Sequence, residues 1–567
     1  MLSSSRWAAV ALVFLLDVAI SPLGAQWQSN TGPAGAVSGA IVGGDVERYL
    51  RALALAGIIK PLPWAIRPFG PVDLAEFLLD SAVAQHPWSG AMRKALSSRA
   101  AVGGVVYAGA NTGFPWGAND GAMWQGRGLT FAAGAAATFR IGPLSLVAAP
   151  AAFSASNNSF DLMPQQAFGI RPEADPLFPT VIDLPQRMGS KPYRRVDPGE
   201  STVRVSGRGI SAGLSTASLG WGTGEAFPAL FGSNAGGFSH LFLGTAGRGL
   251  RIPIVGRVNA RYIFGVLEQS DWSPVQGSQT FVNAAQSGTR RLGTGINLSW
   301  QPGVFPNLEV GASRFFHSPF LSGNRRWKAW SKPFEDVFKK SFQGRSEGSA
   351  DPTGDADNQM GSFFARWVFP RRGLEATFEI FREDHNWDSR DLAQEPENNS
   401  ARMASIRAVT SRRPTSLSLL TLEYFDGDVR PIAQARAQGF LYTHAGLNQG
   451  HTQRGQLLGS PIGAGAIAGQ RIAWERFTPS GSLRANLQRW RTRALRTRNG
   501  EGLNPPANFL FAGSHDWIID ASLASTRFSG GRALTVEGGI AWAGNWQLDI
   551  VNESRTNLYA RASWSLF

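Results

Sequence analysis

The 567-residue chain predicts a mainly β protein: a large transmembrane antiparallel β-barrel preceded by a small α-helical bundle. Three observations predict it. From about Ala101 to the end, apolar residues recur with period 2. Past residue 25, no uninterrupted apolar run approaches the ~18–20 residues a membrane helix needs, so a membrane would be crossed by strands. Gly and Pro, 66 and 33, are together well above the roughly 12% of average usage, so the chain turns often. Its length would otherwise imply three or four soluble domains of roughly 150 residues; one barrel absorbs it.

Residues 1–25 open with Arg6, the apolar stretch Ala8 to Leu16, and Leu23-Gly24-Ala25 ahead of Gln26. This is the form of a secretory signal removed near Ala25. Residues 26–44, rich in Gly, Ser and Ala, read as a flexible lead. Residues 45–100 carry helical spacing. Asp45 caps a helix whose Val46, Tyr49, Leu50 and Leu53 share a face and which ends near Gly57 and Pro61. A second helix fits Pro71 to about Gln85, through Leu74, Phe77, Leu78 and Ala82, and a third fits Ser89 to Ser98, through Met92 and Leu96. Together they read as an amphipathic appendage that must bury its apolar face against something larger.

Residues 101–567 read as the barrel. Val258, Ala260, Tyr262, Phe264 and Val266 alternate with Arg257, Asn259, Arg261, Ile263 and Gly265. Phe363, Ala365, Trp367, Phe369, Ala376, Phe378 and Ile380 fall on one side of a strand pair, with Arg366, Glu375, Thr377 and Glu379 on the other. Leu534, Val536, Ile540 and Trp542, then Leu558, Ala560, Ala562, Trp564 and Leu566, repeat the pattern. A sandwich core would reject the charges of the polar phase, whereas a wet lumen accepts them. The apolar phase ends repeatedly in aromatics, as interfacial girdles require, and Phe567 supplies an aromatic terminus of the kind barrel assembly machinery reads. Such segments number roughly 16–18, with room for long outer loops. A secreted β-sandwich or propeller array is the alternative architecture.

The absence of Cys excludes disulfides, thiolate zinc sites, iron–sulfur clusters and Cys nucleophiles. The net charge of +14 suits an acidic partner, either polysaccharide or lipid phosphate; export disfavours nucleic acid. Basic residues concentrate at 489–498, where Arg489, Arg491 and Arg493 share one side of a strand and Trp490, Thr492 and Ala494 the other. They also concentrate at 325–345, interleaved with Trp327, Trp330, Phe334 and Phe338. Arg forks suit carboxylate and phosphate, and aromatic faces pack on sugar rings, so both stretches fit an acidic glycan. Arg489 to Arg493 could equally pair with lumen carboxylates such as Glu375 and Glu379, or meet lipopolysaccharide phosphates outside.

Motifs for catalysis are weak. Gly209-Ile210-Ser211-Ala212-Gly213 matches a nucleophile elbow in letters but lies inside an alternating run with no following helix. Asp384, His385 and Asp388 could supply a base and its orienting carboxylate, as in a membrane hydrolase, although neighbours in a strand point to opposite faces. The seven His show no metal-ligand spacing, and no phosphate-cradling loop occurs. No enzyme activity, cofactor or metal follows.

The stretches NDGAMWQGRG at 119–128, IDLPQRMG at 182–189, WGTGEAFPALFGSNA at 221–235, FFARWVFP at 363–370, FREDHN at 381–386 and HTQRGQLLG at 451–459 span most of the chain. In these the chain resembles the Wzi-type capsule assembly outer-membrane protein family. One departure is Thr223, where many relatives carry Pro in W-G-P-G. The resemblance implies an 18-stranded outer-membrane barrel with a periplasmic helical bundle. It also implies a non-enzymatic surface protein that binds capsular or related exopolysaccharide and organises or retains it at the cell surface. Its surroundings would be outer-membrane lipid and lipopolysaccharide. The family provides no residue-level site. Trp124, Gln125, Arg127, Arg187, Trp221 and Asn234 are the candidates because the matching motifs combine stacking faces, fork donors and amides; Arg489, Arg491 and Arg493 join them. The same motif residues could instead form a hydrogen-bonded lumen plug. A porin or solute channel is the alternative function, suggested by the Arg-bearing lumen phase.

Overall fold

The computed structural model describes residues 38–78, 86–165, 170–272, 290–320, 329–335, 357–383, 389–394, 396–427, 440–444, 447–494, 516–546 and 553–566. The predicted signal 1–25, residues 79–85 of the second predicted helix, most of 325–345, the triplet Asp384, His385 and Asp388, the side chain of Arg493, and Phe567 lie outside the described residues.

Eighteen antiparallel strands close into a barrel. They begin with β1 (Ala100–Asn111), β2 (Gly128–Ile141), β3 (Leu144–Ala148 and Ala151–Ala155), β4 (Tyr193–Asp197 and Thr202–Gly207), β5 (Ile210–Ser215) and β6 (Ser239–Thr245 and Leu250–Ile252). They continue as β7 (Gly256–Glu268), β8 (Arg290–Pro302), β9 (Leu308–Pro319), β10 (Asn358–Phe369), β11 (Leu374–Glu383) and β12 (Ser400–Arg413). The last six are β13 (Ser416–Gly427), β14 (Ala466–Thr478), β15 (Gly481–Ala494), β16 (Asp516–Ser529), β17 (Arg532–Trp546) and β18 (Glu553–Leu566). The seam closes where β1 meets β18, from Gly104 opposite Leu566 to Asn111 opposite Tyr559. Closure leaves no free sheet edge.

Connections differ at the two ends. At one end they are tight, such as Arg208-Gly209, Pro414-Thr415, Pro479-Ser480 and Gly530-Gly531. Gly530 and Gly531 have φ of 54° and 82°, the positive values that let a two-residue hairpin match strand twist. At the other end the connections are long loops. The side-chain phase follows the sequence: Leu298, Phe363, Phe378, Leu523 and Leu558 are exposed on the outer wall, while Asn297, Arg366, Glu375, Glu379 and Arg407 are buried inside.

The lumen is largely filled by inward-folded chain. Loop 112–127 and the segments 216–238 and 440–465 fold inward, and Phe114, Leu219, Trp221, Phe227, Phe231, Leu441, Tyr442 and Leu458 form one apolar core. That core meets the inward wall residues Ile263, Phe315, Met360, Phe381, Met403 and Phe425. The alternation identifies which residues face inward, and several of them are apolar because they meet the plug, not water.

Three helices precede the barrel: α1 (Asp45–Leu55), α2 (Pro71–Leu78) and α3 (Ser89–Ser97). Gly44, not Asp45, is the N-cap residue of α1; Asp45 and Glu47 occupy its first turn, where the helix dipole favours acids. The predicted lead is described from Ser38, where Ala40 exchanges backbone hydrogen bonds with Phe69 and is fully buried. The helical segment is not a loose appendage. Its apolar residues pack with Val368, Leu417, Leu419 and Phe477 in the short-turn mouth. Tyr49 stacks on Trp88 at 4.2 Å, and Trp88 meets Phe477 edge-on at 5.2 Å.

Asp73 fastens α2 to the wall. Its carboxylate accepts from Gly70 N–H at 2.8 Å, Gly247 N–H at 2.8 Å and Arg204 Nη2 at 2.8 Å. Burial alone would raise this carboxyl, but Arg204 and the two amides hold it below its ordinary value. A depressed folded value means the attachment is complete above the unfolded value of about 4 and is lost as pH falls below it. Amide exchange of 70–78 should therefore accelerate relative to the strands between pH 5 and pH 2, and Asp73→Asn should flatten that dependence. An acid-insensitive exchange ratio in the unmutated protein would contradict it.

Candidate functional site

The wall grips the plug through carboxylates. Glu423 Oε1 accepts from the backbone N–H groups of Glu225, Ala226 and Phe227 at 3.1, 3.0 and 2.9 Å. Glu383 accepts from Tyr442 of the plug at 2.8 Å, and Glu309 holds the segment between α1 and α2 in the same way, accepting from Trp64 and Ala65 at 2.8 and 3.2 Å. Thr223 N–H donates to Glu379 at 2.9 Å, a bond that a Pro at this position could not make. Beneath these sits a charge network. Glu375 is bound by Arg51 at 2.6 Å, Arg366 at 2.8 Å and Arg407 at 3.1 Å. Glu225 joins Arg407 at 3.2 Å and Arg471 at 3.0 Å. Burial would raise the Glu225 carboxyl, yet Arg471, Arg407, Arg51 and Arg48 hold it well below the usual range.

Above the plug, at the long-loop end, lies a cleft of about 260 Å³. Its aromatic walls are Trp116, Trp124, Trp490 and Trp546. Asp120, Gln125, Asp175, Gln186, Asn234 and Asp516 supply polar groups, and its described lining includes no Lys or Arg. Trp116 and Trp490 meet at 4.7 Å between ring centroids, and Phe114 lies 4.8 Å from Trp546. Trp116 is fixed by its Nε1–H bond to Asp520 at 3.0 Å, while the buried Nε1–H of Trp490 has no hydrogen-bond partner among the described residues. Asn111 holds the loop through the carbonyls of Trp116, Gln125 and Gly126 at 3.1–3.3 Å. Burial pushes the Asp120 carboxyl up to about 6, against the pull of Arg561. Trp116 and Asp120 also roof a smaller polar cavity lined by Arg48, Glu225, Arg484 and Glu537. The arrangement offers flat apolar faces beside hydrogen-bonding groups, which suits a hydroxyl-rich ring.

Of the sequence candidates, Trp124, Gln125 and Asn234 come together in this cleft. Trp124 is half-buried and meets Tyr193 edge-on at 6.3 Å. Asn234 donates to Leu457 O at 3.0 Å. Arg127 and Arg187 act as loop clamps: Arg127 Nε donates to Thr112 O at 3.0 Å, and Arg187 Nη2 to Asn157 O at 2.5 Å. Trp221 is fully buried in the plug core, 5.2 Å from Phe231. Arg489 is exposed on the outer wall, in phase with Leu487, and donates to Gln470 at 3.2 Å; Arg491 shares its phase. Neither reaches Glu375 or Glu379, because β15 turns Trp490 inward against the plug. Leu487, exposed in the odd phase two residues upstream, carries the signal that would have assigned both. Sequence reasoning missed Trp116, Trp490, Trp546, Asp175 and Asp516, which only folding brings together. Ser211 of the elbow-like motif lies in β5, where its hydroxyl donates to Thr245 O at 3.1 Å. Among the described residues no group of three or more acidic or His side chains could hold a metal.

Fold and lumen together define a plugged, eighteen-stranded β-barrel of the outer-membrane kind. The capsule assembly protein Wzi family model matches residues 191–557, and the chain belongs to that family. It is similar in structure to the outer-membrane protein Wzi of Escherichia coli, described as a carbohydrate-binding β-barrel involved in group 1 capsule assembly. The TM-score is 0.60 at 15% identity, over 93% of this chain and 99% of that one. Also similar are OpdL of Pseudomonas aeruginosa and a BenF-like porin of Pseudomonas fluorescens. Each is 9% identical over 82% of this chain and 98% of its own, with TM-scores of 0.36 and 0.41. No curated protein matches the chain.

Proposed function

We propose that the protein is an integral outer-membrane surface protein that binds capsular or related exopolysaccharide and holds it at the cell surface. On this reading the long loops and the cleft face outward, the helical segment faces the periplasm, and the outer wall meets lipid and lipopolysaccharide after export and assembly by the barrel machinery. The role is binding without catalysis. The cleft is the observation that carries it: four Trp and a set of amides and carboxylates above a lumen filled by the plug. Wzi of Escherichia coli, described as binding carbohydrate, supports the same direction. The channel reading rested on a polar open lumen, and the packed core between loops and wall gives it no support.

Trp124, Gln125 and Asn234 remain the contact candidates, joined by Trp116 and Trp490. With carboxylates and no described cation in its lining, the cleft suits an uncharged sugar unit, whose hydroxyls can donate to Asp120 or Gln125. Arg489 and Arg491 belong to the wall on this reading, facing lipopolysaccharide phosphate or an acidic stretch of polymer.

Co-sedimentation of the folded chain with the source organism's surface polysaccharide tests the proposal. Saturable binding is expected. Trp124→Ala should weaken binding of a short neutral oligosaccharide by about tenfold, the loss of one stacking face. For intact polymer the loss should multiply as repeated contacts fail together. No binding by protein that passes a heat-dependent gel-mobility test for folding would reject polysaccharide recognition.

A further inference from the structure

The short-turn rim carries a charge pattern that the polysaccharide reading does not use. Arg208, Arg251, Arg371, Arg412, Arg476 and Arg532 are exposed there, spread over the hairpins from β4–β5 to β16–β17. None of the six has a carboxylate partner among the described residues. The connections at 142–143, 208–209, 253–255, 303–307, 370–373, 414–415, 479–480 and 530–531 contain no Asp or Glu. The exposed acid described at this end is Glu76, 4.0 Å from Arg248.

Placement separates lipid from a soluble partner. Arg476 is in phase with Ile472, and Arg532 with Leu534, so both point off the outer wall and not across the mouth. The Arg532 guanidinium sits over the Trp564 ring at 5.6 Å. Trp300, Trp367 and Trp564 ring the wall just inside the cations, the order of a membrane interface seen from the hydrocarbon outward. Two turns at this end also expose apolar tips, Ile254 and Val304. A soluble partner docked on the mouth would leave the outward Arg uncovered, whereas a lipid leaflet reaches the whole circumference.

We infer that this rim binds the phosphate headgroups of anionic phospholipid in the leaflet it faces. The inference rests on the reading of the barrel as membrane-spanning, and the two can fail separately. The full chain would be reconstituted in nanodiscs of equal phosphatidylglycerol and phosphatidylcholine, and the lipid that stays with the barrel on extraction into mild detergent measured. Phosphatidylglycerol should be enriched about fivefold at low salt, falling toward parity as salt rises. Changing four exposed rim residues together, Arg371→Ser, Arg372→Ser, Arg412→Ser and Arg413→Ser, should at least halve the enrichment, and Lys191→Ser, at an exposed loop cation of the opposite end, should leave it unchanged. Parity in the unmutated protein, enrichment that survives the rim variant, or enrichment abolished by Lys191→Ser would each overturn the inference. Capture of soluble polyglutamate with lipid at parity would reassign the rim to an acidic soluble partner and overturn it too. A chain folded in detergent that enters no disc would overturn the spanning reading and the inference with it.

Discussion

Glu375→Gln should detach the N-terminal helices from the barrel. Glu375 is fully buried and joins three equally buried guanidiniums, those of Arg51 from α1, Arg366 from β10 and Arg407 from β12, and it is the carboxylate that Arg51 meets among the described ion pairs. An amide at this position leaves the cations facing one another. Removing one partner of a buried charge cluster costs about 3–5 kcal/mol because the remaining charges stay desolvated. The wall strands can keep their ladders, so the cost falls on the element that can leave, which is α1. Trypsin should then release fragments from 45–97 while the barrel retains its heat-dependent mobility. Equal protease resistance in variant and unmutated protein would show that apolar packing around Tyr49 and Trp88 holds the helices without the network.

Excising 441–464 and bridging the gap with a short Gly-Ser link should turn a silent barrel into a conducting one. That segment contributes Leu441, Tyr442, Leu457, Leu458 and Ile462 to the lumen core. It also holds its neighbours: Gln456 donates to Gly121 O at 2.9 Å, Asn234 donates to Leu457 O at 3.0 Å, and Gly232 N–H donates to Leu458 O at 2.9 Å. Without these bonds loop 112–127 and segment 216–238 lose their packing partner together. Planar bilayers should record no stable steps from the intact chain and flickering steps from the excised one. Silence from excised protein verified as inserted would mean that the other two segments close the lumen unaided.

The barrel was legible because a strand in a closed wall must sort every side chain to one of two faces. Phe363, Trp367 and Phe378 lie outside and Arg366, Glu375 and Glu379 inside, as period 2 alone dictates. The helices were legible for a similar reason: Val46, Tyr49, Leu50 and Leu53 share a face at any helix of 3.6 residues per turn. What fills the lumen was not legible, since alternation says which residues point in and nothing about what they meet. Trp221 illustrates the limit. Its motif stands out in sequence as a stacking face, yet Trp221 is wholly buried in the plug and touches no cleft. The cleft depends on Trp116, Trp490 and Trp546, which come from distant parts of the chain and meet only when loop 112–127 folds against β15 and β17.

The carboxylates on the wall hold the plug by its peptide groups, at Glu225, Ala226, Phe227 and Tyr442. A peptide N–H is the same whichever residue bears it, proline excepted. Such a fastening is blind to most substitutions, so the side chains of the plug can change while its grip on the wall stays the same.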